Sequence, residues 1–201
     1  MKTIVKFISL GFIPFIPFIQ CQGNDSNGFT PFPEMNHPKN NPSSKDKIAL
    51  GKKLFFDTRL SLNNEVSCAT CHIASKALTD GRQLAQGVEG REAFRNTPTL
   101  FNIGYSSKFM FDAEITTLEE QILVPILDHN EMGSSMPVVI EELRSIAEYQ
   151  VAAQKIFNRD FDVWVLTRSI AAFERTLSSD NSAFDKFYYQ NKKDAISESA
   201  K

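Results

Sequence analysis

The sequence contains few of the residues that usually mark a catalytic, metal or redox site. Its 201 residues include three cysteines, three histidines and one tryptophan. Positive charge is not in excess either, because 22 basic residues face 24 acidic ones and the formal charge is −2. A nucleic-acid partner would require a basic surface, so we expect none. Apolar residues make up 42% of the chain, which is enough for an ordinary globular core.

No apolar run is long enough for a transmembrane span. The amino terminus reads MKTIVKFISLGFIPFIPFIQCQG, in which two lysines precede an apolar run, residues 7 to 19, that Pro14 and Pro17 interrupt. A span requires about 20 consecutive apolar residues, whereas a short apolar run behind lysines is typical of an export signal. We therefore predict a signal peptide over residues 1–21 and a protein that is exported from the cytoplasm and has no transmembrane span.

Cys21 lies where a lipoprotein signal has its acylated cysteine, and a polar segment follows it. The three residues before it, Phe-Ile-Gln, are larger than the small residues that such a cleavage site prefers. Two alternatives therefore stay open. One is a lipid anchor on Cys21, and the other is an ordinary signal whose cleavage site the sequence does not define.

The rest of the chain predicts a polar arm followed by helices. Residues 22–44 are rich in Asn, Pro, Ser and Gly and predict a flexible polar arm. Ser43 is the predicted cap of a first helix in SSKDKIALGKKLFF, and Thr116 or Thr117 is the predicted cap of a helix in TTLEEQILV. No stretch alternates as a strand would, so we predict an all-α fold. Two further helices are predicted in MPVVIEELRSIAEYQ and in FDVWVLTRSIAAFERTL, where Leu166, Ile170, Phe173 and Leu177 share a face.

A long segment without apolar periodicity, residues 79 to 114, separates the first predicted helix from the later ones. Four glycines, at positions 81, 87, 90 and 104, interrupt it. A loop of this length is uncommon in a compact domain unless it has a function of its own. We therefore expect these loops to enclose a large ligand.

The stretch SCATCHIAS holds Cys68, Cys71 and His72 in a CxxCH pattern. A thioredoxin-like dithiol would require a βαβ setting, which this helical sequence lacks. A structural zinc site would require four ligands, and the other cysteine and histidines, Cys21, His37 and His129, form no second paired motif. A disulfide between Cys68 and Cys71 would close a very small loop and leave His72 without a role.

Covalent haem c gives all three residues of this pattern a role. The two thiols form thioethers with the vinyl groups of the haem, and His72 reaches the iron from the proximal side. A large flat cofactor also explains the long loops. We therefore predict one covalently bound haem c, attached through Cys68 and Cys71 and ligated by His72.

The sixth coordination position of the iron decides the function, because a strong ligand makes an electron carrier and an open position makes a site for peroxide or a gas. The candidate sixth ligands are Met110, Met132, Met136 and His129. A methionine among apolar residues commonly packs in the core instead. The sequence alone leaves the choice between these residues open.

Four segments follow one another in this chain: IALGKKLFFDTRLSLNNEVSCATCHIASKALTDGR, RNTPTLFN, TLEEQILVPILDHNEMG and NSAFDKFYY. In order and spacing they resemble the amino-terminal haem domain of bacterial di-haem cytochrome c peroxidases, the family that also contains MauG-type enzymes. The resemblance implies a cytochrome c-like helical domain that holds the peroxidatic haem. It also implies a periplasmic enzyme that reduces hydrogen peroxide to water with electrons from a small cytochrome or a copper protein.

The resemblance also assigns residues. It implies the same roles for Cys68, Cys71 and His72 that the CxxCH pattern predicts. Gln121 and Glu131 fall at the positions of the distal-pocket glutamine and glutamate of the family, with Glu131 as the acid/base. Asn96, in RNTPT, matches a residue at the interdomain calcium site of the family, which makes calcium a second candidate ligand.

Three positions depart from the family pattern. Val88 stands where many members have a histidine that ligates the resting peroxidatic iron. Phe111 stands at the position of the tryptophan between the haems, and Glu114 stands where an arginine is usual. The absence of the histidine favours a site that is open without reductive activation. Phe111 and Glu114 put the usual route of electrons between the haems in doubt.

The resemblance divides the chain into a haem domain over residues 45–190 and the start of a linker, residues 191–201, to a second haem domain. Two functions follow from it. The first is the peroxidatic half of a di-haem peroxidase, which acts on hydrogen peroxide with a second haem domain or an outside donor. The alternative is a mono-haem electron-transfer cytochrome without peroxidase activity.

Overall fold

The computed structural model describes residues 30 to 200, and its compact helical unit begins at Phe32. The predicted signal peptide and Cys21 lie outside the described residues, so the export and lipid-anchor predictions stay predictions. Among the residues that are described, no helix has the length and apolar character that crossing a membrane requires.

Eight α-helices joined by long loops make up the described chain. Within residues 32 to 200, β-type pairing is limited to three isolated bridges, so the predicted all-α fold is confirmed. The helices are α1 (Lys45–Phe55), α2 (Cys68–Cys71), α3 (Leu118–Gln121), α4 (Leu123–Leu127), α5 (Met136–Arg144), α6 (Ala147–Phe157), α7 (Val163–Glu174) and α8 (Ala183–Tyr188).

The caps of two helices test the sequence predictions. Helix α1 is capped by Ser44, whose side chain accepts a hydrogen bond from the Lys47 backbone at 3.2 Å. The prediction of Ser43 was wrong by one residue, because Ser44 is the residue that adopts the extended conformation of a cap and lies three residues before a free backbone donor. Helix α3 is capped by Thr117, one of the two predicted threonines.

The segment MPVVIEELRSIAEYQ forms two helices, and the prediction of a single helix was wrong. Helix α5 ends at Arg144, and Ile146 adopts an extended backbone with φ −91° and ψ 111°. The Ser145 hydroxyl donates to the carbonyl oxygen of Glu142 at 2.6 Å. The same carbonyl also accepts from the Ser145 backbone N–H at 3.2 Å. A serine that bonds back to the last turn in this way favours the end of a helix over its continuation.

Helices α1 and α7 cross at close range in the core. A Cβ atom on Gly51 would overlap the carbonyl oxygen of Ser169, so the two backbones meet where α1 carries no side chain. Leu54 of α1 is fully buried in the core cluster that also holds the apolar residues of α7. The residues predicted to share one face of α7 lie in this core, with Leu177 only partly buried: Leu166, Ile170 and Phe173.

The carboxyl end of the predicted polar arm is anchored on the helical unit. Asn41 is 1% exposed, and its amide donates to Glu119 Oε1 at 2.6 Å and to the carbonyl oxygen of Arg168 at 3.0 Å. Its own oxygen accepts a hydrogen bond from Lys47 Nζ at 2.9 Å. These contacts tie the chain before α1 to helices α3 and α7, and the boundaries of the arm, residues 22–44, stay a prediction.

The segment from residue 79 to residue 114 is irregular, as its lack of periodicity predicts. It contains two short 3-10 turns, Val88–Gly90 and Ile103–Tyr105, and the isolated bridge between Gln86 and Glu92. Two further isolated bridges join Thr79 and Phe109 to Ile73 and Ile115 outside the segment. Single apolar side chains nevertheless join it to the core, because three of them are buried in the core cluster. They are Val88, Leu100 and Phe109.

Candidate haem-binding site

The CxxCH cysteines lie on helix α2, which is only one turn long. The backbone N–H of Ser67 donates to Thr70 Oγ1 at 3.0 Å, which closes the turn at its amino end. Cys68 and Cys71 are both free thiols and both partly exposed. The turn therefore presents two unpaired thiols at the surface of the core rather than a disulfide.

The surroundings of the thiols keep them protonated. Burial, followed by the nearby Glu174, raises the pKa of the Cys68 thiol. Burial, followed by Asp80 and Glu131, raises the pKa of the Cys71 thiol. Protonated thiols are poor metal ligands and poor nucleophiles, and no three His, Cys, Asp or Glu side chains of residues 32 to 200 group as a metal site. A metal–thiolate site therefore does not fit these residues, whereas attachment of a haem by thioethers requires only that both thiols are unpaired, as they are.

His72 is held with one ring nitrogen turned to the protein backbone. Its Nδ1 lies 2.9 Å from the carbonyl oxygen of Leu78, so Nδ1 carries the proton and donates it. Burial lowers the pKa of His72, against the opposing effect of the Leu78 and Pro98 carbonyls and of Asp80. The neutral ring then has its lone pair on Nε2, as an iron ligand requires. The donor set therefore fits a haem.

A strained turn places the carbonyl group that orients His72. Ala77 and Leu78 both have positive φ, 56° and 59°, a conformation that is uncommon for residues other than glycine. The Thr99 hydroxyl donates to the Ala77 carbonyl at 2.6 Å and holds the turn. The sequence does not predict these positive φ values, because neither position is Gly, Asn or Asp, the residues that usually adopt them in turns.

Glu131 lies in the turn that follows α4, on the side of the site where Cys71 lies. Burial, followed by the nearby Asp128, raises the pKa of Glu131. Glu131 in turn contributes to the raised pKa of Cys71, so the two side chains are within electrostatic range. A half-buried carboxyl whose pKa is raised above the ordinary value is better suited to accept and return a proton than a fully solvated one.

Gln121 is the last residue of α3, and its Nε2 lies 3.9 Å from the sulfur of Met110. Met110 is 44% exposed and has a positive φ of 63°. The predicted distal glutamine and one predicted sixth ligand are therefore neighbours.

The other predicted sixth ligands have different environments. Met132 is buried in the core cluster, and Met136 is partly buried against it. The exposed His129 accepts at Nδ1 from Arg91 Nη1 at 3.0 Å, because an arginine can only donate. The neutral imidazole then carries its proton on Nε2, so His129 has no free ring lone pair in this arrangement.

The three residues that depart from the family pattern have different environments. Val88 is fully buried, whereas Phe111 is 84% exposed and lies 4.5 Å under the Arg95 guanidinium. Glu114 and Asn96 are both exposed, and no acidic cluster forms around Asn96 among residues 32 to 200.

One residue of the site has no counterpart in the sequence predictions. Glu174, the last residue of α7, is buried, its Oε2 has no hydrogen-bond partner, and it contributes to the raised pKa of Cys68. Burial is the main reason that its pKa is raised to about 8. The only signal in the sequence is an acidic residue on the apolar face of a helix.

Known proteins resemble this chain over most of its length. The family model described as di-haem cytochrome c peroxidase matches residues 45–194. The methylamine utilization protein MauG of Methylorubrum extorquens is 38% identical over 153 residues, which are 75% of this chain and 43% of that protein. The cytochrome c551 peroxidase of Pseudomonas aeruginosa is 36% identical over 165 residues, 79% of this chain and 47% of that protein.

A solved structure gives the same result for the fold. The crystal structure of a MauG-like protein associated with microbial copper homeostasis superimposes with a TM-score of 0.74 at 29% identity. The match covers 87% of this chain and 52% of that one. The chain thus spans about half the length of these relatives. With its free CxxCH thiols, its neutral histidine and its all-α fold, the chain belongs to the di-haem cytochrome c peroxidase family.

Proposed function

We propose that this chain is a haem c domain that reduces hydrogen peroxide to water. The observation that carries the proposal is Glu131, a half-buried carboxyl with a raised pKa within electrostatic range of the attachment residue Cys71. The electrons come from a small cytochrome or a copper protein, or from a second haem domain outside this chain. The half-length match to the relatives supports the last source.

The residues of the chain have separate tasks in this proposal. Cys68 and Cys71 would attach the haem, and His72 would hold the iron through Nε2, since its Nδ1 donates to the carbonyl of Leu78. The haem, when bound, supplies electrons and a binding position for one peroxide oxygen.

Glu131 moves the proton. Its carboxylate accepts the proton of one peroxide oxygen and returns it to the other oxygen, which leaves as water. The first water therefore contains both hydrogens of the peroxide, and two protons from solvent together with two electrons convert the remaining oxygen to the second water. Gln121 can both donate and accept hydrogen bonds, and it orients the peroxide.

A second candidate function is a mono-haem electron carrier. It is favoured by the sulfur of Met110 beside Gln121, because a methionine that closes the iron would block peroxide. The visible spectrum of the oxidised protein separates the two functions. A high-spin ferric spectrum supports the peroxidase, and a low-spin spectrum with a methionine-to-iron band supports the carrier.

Location and further ligands belong to the same proposal. The chain works in the periplasm after export through residues 1–21, either free or held by a lipid on Cys21. Calcium binds on the side of Asn96 only when a second domain completes the site, which is consistent with the exposure of Asn96.

Haem attachment is tested by mass. Protein matured in a host that makes cytochrome c should keep the mass of one haem after denaturation. The double variant Cys68→Ala, Cys71→Ala should lose it, because no thioether can form. Covalent haem retained in the double variant would contradict the assignment.

The role of Glu131 is tested by stopped-flow mixing with peroxide. Glu131→Gln keeps size and hydrogen bonding but cannot move a proton, so oxidation of the haem by peroxide should slow by about 10²- to 10⁴-fold. The matched control Glu141→Gln changes an exposed glutamate of α5 and should leave the rate unchanged. Gln121→Ala should slow the reaction less than Glu131→Gln.

His129 is the competing proton carrier, because it lies two residues before Glu131. His129→Ala should change the rate little, since Arg91 already occupies its Nδ1. A rate that falls in His129→Ala and not in Glu131→Gln would transfer the role to the histidine.

A further inference from the structure

The carboxyl group of Glu131 depends on the backbone for its position. Its side chain makes no hydrogen bond to any part of the chain that the structure describes, and only its backbone groups are bonded. A shift of the surrounding turn would therefore move the carboxyl with it, because no side-chain partner holds it back.

The turn that carries Glu131 is closed by its own hydrogen bonds. The carbonyl oxygen of Asp128 accepts from the backbone of Glu131 at 3.1 Å and from that of Gly133 at 2.9 Å. The Asp128 side chain accepts from the backbone of Asn130 at 2.8 Å. Residues 128 to 133 thus form one closed turn, which Met132 anchors through hydrogen bonds to the Pro125 carbonyl and the Leu62 N–H at 3.0 and 2.9 Å, while Glu131 lies on its other part.

A second loop, residues 85 to 93, docks on this turn. The backbone N–H of Val88 donates to the carbonyl oxygen of Glu131 at 2.8 Å. A Cβ atom on Gly87 would overlap the carbonyl oxygens of Asn130 and Glu131 and would lie 2.6 Å from Glu131 Cα. The Val88 side chain is fully buried at this contact, 3.0 Å from the position of a Cβ on Gly133.

Arg91 adds a side-chain clamp between the two loops. Its Nη1 donates to the carbonyl oxygen of His129 at 2.9 Å and to His129 Nδ1 at 3.0 Å. Its Nη2 pairs with the carboxylate of Glu89 in its own loop. The guanidinium is therefore fixed from both sides.

The docking loop also touches the haem attachment site. The carbonyl oxygen of Gln86, one residue before Gly87, lies 3.8 Å from Cys71 Sγ. The loop therefore spans the distance from the attachment cysteine to the turn of Glu131. We propose that Gly87, Val88 and Arg91 are positioning residues, which hold the Glu131 carboxyl at a fixed place relative to Cys71 and hence to the haem.

This inference rests on the proposed role of Glu131, and its first test does not use activity. Gly87→Ala in the haem-loaded protein forces the two loops apart, because its Cβ meets backbone atoms that cannot rotate away. Amide hydrogen exchange, followed by mass spectrometry, should be faster in residues 85 to 93 and 128 to 133. Arg91→Gln should act in the same direction without changing the backbone. Arg159→Gln, which removes a surface ion pair with Asp162, should leave both loops unchanged.

The second test is a double-mutant cycle on the rate of reaction with peroxide. A displacement of about 1 Å costs on the order of 10²-fold in rate, so Gly87→Ala should slow the reaction by about that factor. Arg91→Gln should slow the reaction by about 10-fold. This variant replaces Gly87→Ala in the cycle if Gly87→Ala does not fold. On the Glu131→Gln background both changes should have almost no effect, because a positioning residue acts only through the group that it positions.

Each outcome has one meaning. Unchanged exchange, or the same rate factor with and without Glu131, overturns the positioning role and leaves the acid/base role of Glu131 intact. An unchanged rate in Glu131→Gln alone removes Glu131 from the proposed mechanism, and the positioning role with it. Faster exchange together with a rate effect that disappears in Glu131→Gln supports both.

Discussion

Breaking the buried ion pair between Glu119 and Arg175 is expected to destabilise the fold strongly, because the remaining charge would be buried without its partner. Arg175 donates to both carboxylate oxygens of Glu119, at 2.7 and 3.0 Å, and each side chain is 6% exposed. Glu119→Gln keeps the size of the side chain but leaves Arg175, and the nearby Lys47, without a negative partner. Removing one member of a buried pair costs about 3–5 kcal/mol. That is a large part of the roughly 5–15 kcal/mol by which a domain is stable.

Urea unfolding of the haem-loaded protein measures this loss against two graded controls. Asp46→Asn breaks the exposed pair with Lys155, 2.8 Å apart, and should cost no more than about 1 kcal/mol. Asn41→Ala removes a neutral hydrogen-bond partner of Glu119 and should cost about 1–3 kcal/mol. A loss in Glu119→Gln no larger than that in Asp46→Asn would refute the reasoning.

The same pair predicts the direction of the response to acid. Burial alone would raise the pKa of Glu119, but the hydrogen bonds from Arg175 and Asn41 outweigh it and lower the pKa below the ordinary 4.5. The unfolded chain therefore binds the proton first, and the stabilisation that is present above pH 4.5 is lost as the pH falls through the lowered pKa. Unfolding midpoints at a series of acidic pH values should fall less steeply in Glu119→Gln than in the parent.

Three further changes have expected outcomes in the same unfolding assay. Gly51→Ala should cost about 3 kcal/mol or more, because its Cβ meets the backbone of Ser169, and an unchanged midpoint would contradict the close crossing of α1 and α7. Tyr149→Phe removes the buried hydrogen bond to Asp57 and should cost about 1.5–3 kcal/mol, which a fully stable variant would disprove. Glu174→Gln replaces an acid whose pKa burial raises to about 8, so the parent should lose stability relative to the variant from pH 4.5 to about 8, and a constant difference would argue against the buried acid.

Local patterns in the sequence predict the attachment side of the site. Cys68, Cys71 and His72 are close in the chain, so their chemistry is visible without knowledge of the fold. The helices with a clear apolar stripe, such as α7, are equally visible because their period matches the core face. The errors at Ser43 and at the break after α5 concern the ends of helices, where one hydrogen bond decides between neighbouring residues.

Contacts between distant residues could not be predicted in this way. Glu119 and Arg175 are 56 positions apart, and nothing near either residue indicates the other. The positive φ values of Ala77 and Leu78 are also hidden, because the surrounding structure imposes them against the preference of both residues. The need for glycine at position 87 is also hidden in the sequence, because it arises from the contact with the turn of Glu131.

The two proposed distal residues are positioned by separate parts of the fold. Gln121 is on α3, two residues after Glu119, so the buried pair with Arg175 holds the helix that carries it. Glu131 lies beyond α4, and the loop of residues 85 to 93 holds its turn. The turn of Glu131 is also hydrogen-bonded to α4, because the backbone of Met132 donates to the Pro125 carbonyl at 3.0 Å and that of Ser134 to the Ile126 carbonyl at 2.9 Å. Helix α4 begins two residues after α3 ends. Loosening the ion pair should therefore disturb the orientation of peroxide by Gln121 directly and the proton transfer by Glu131 only through α4.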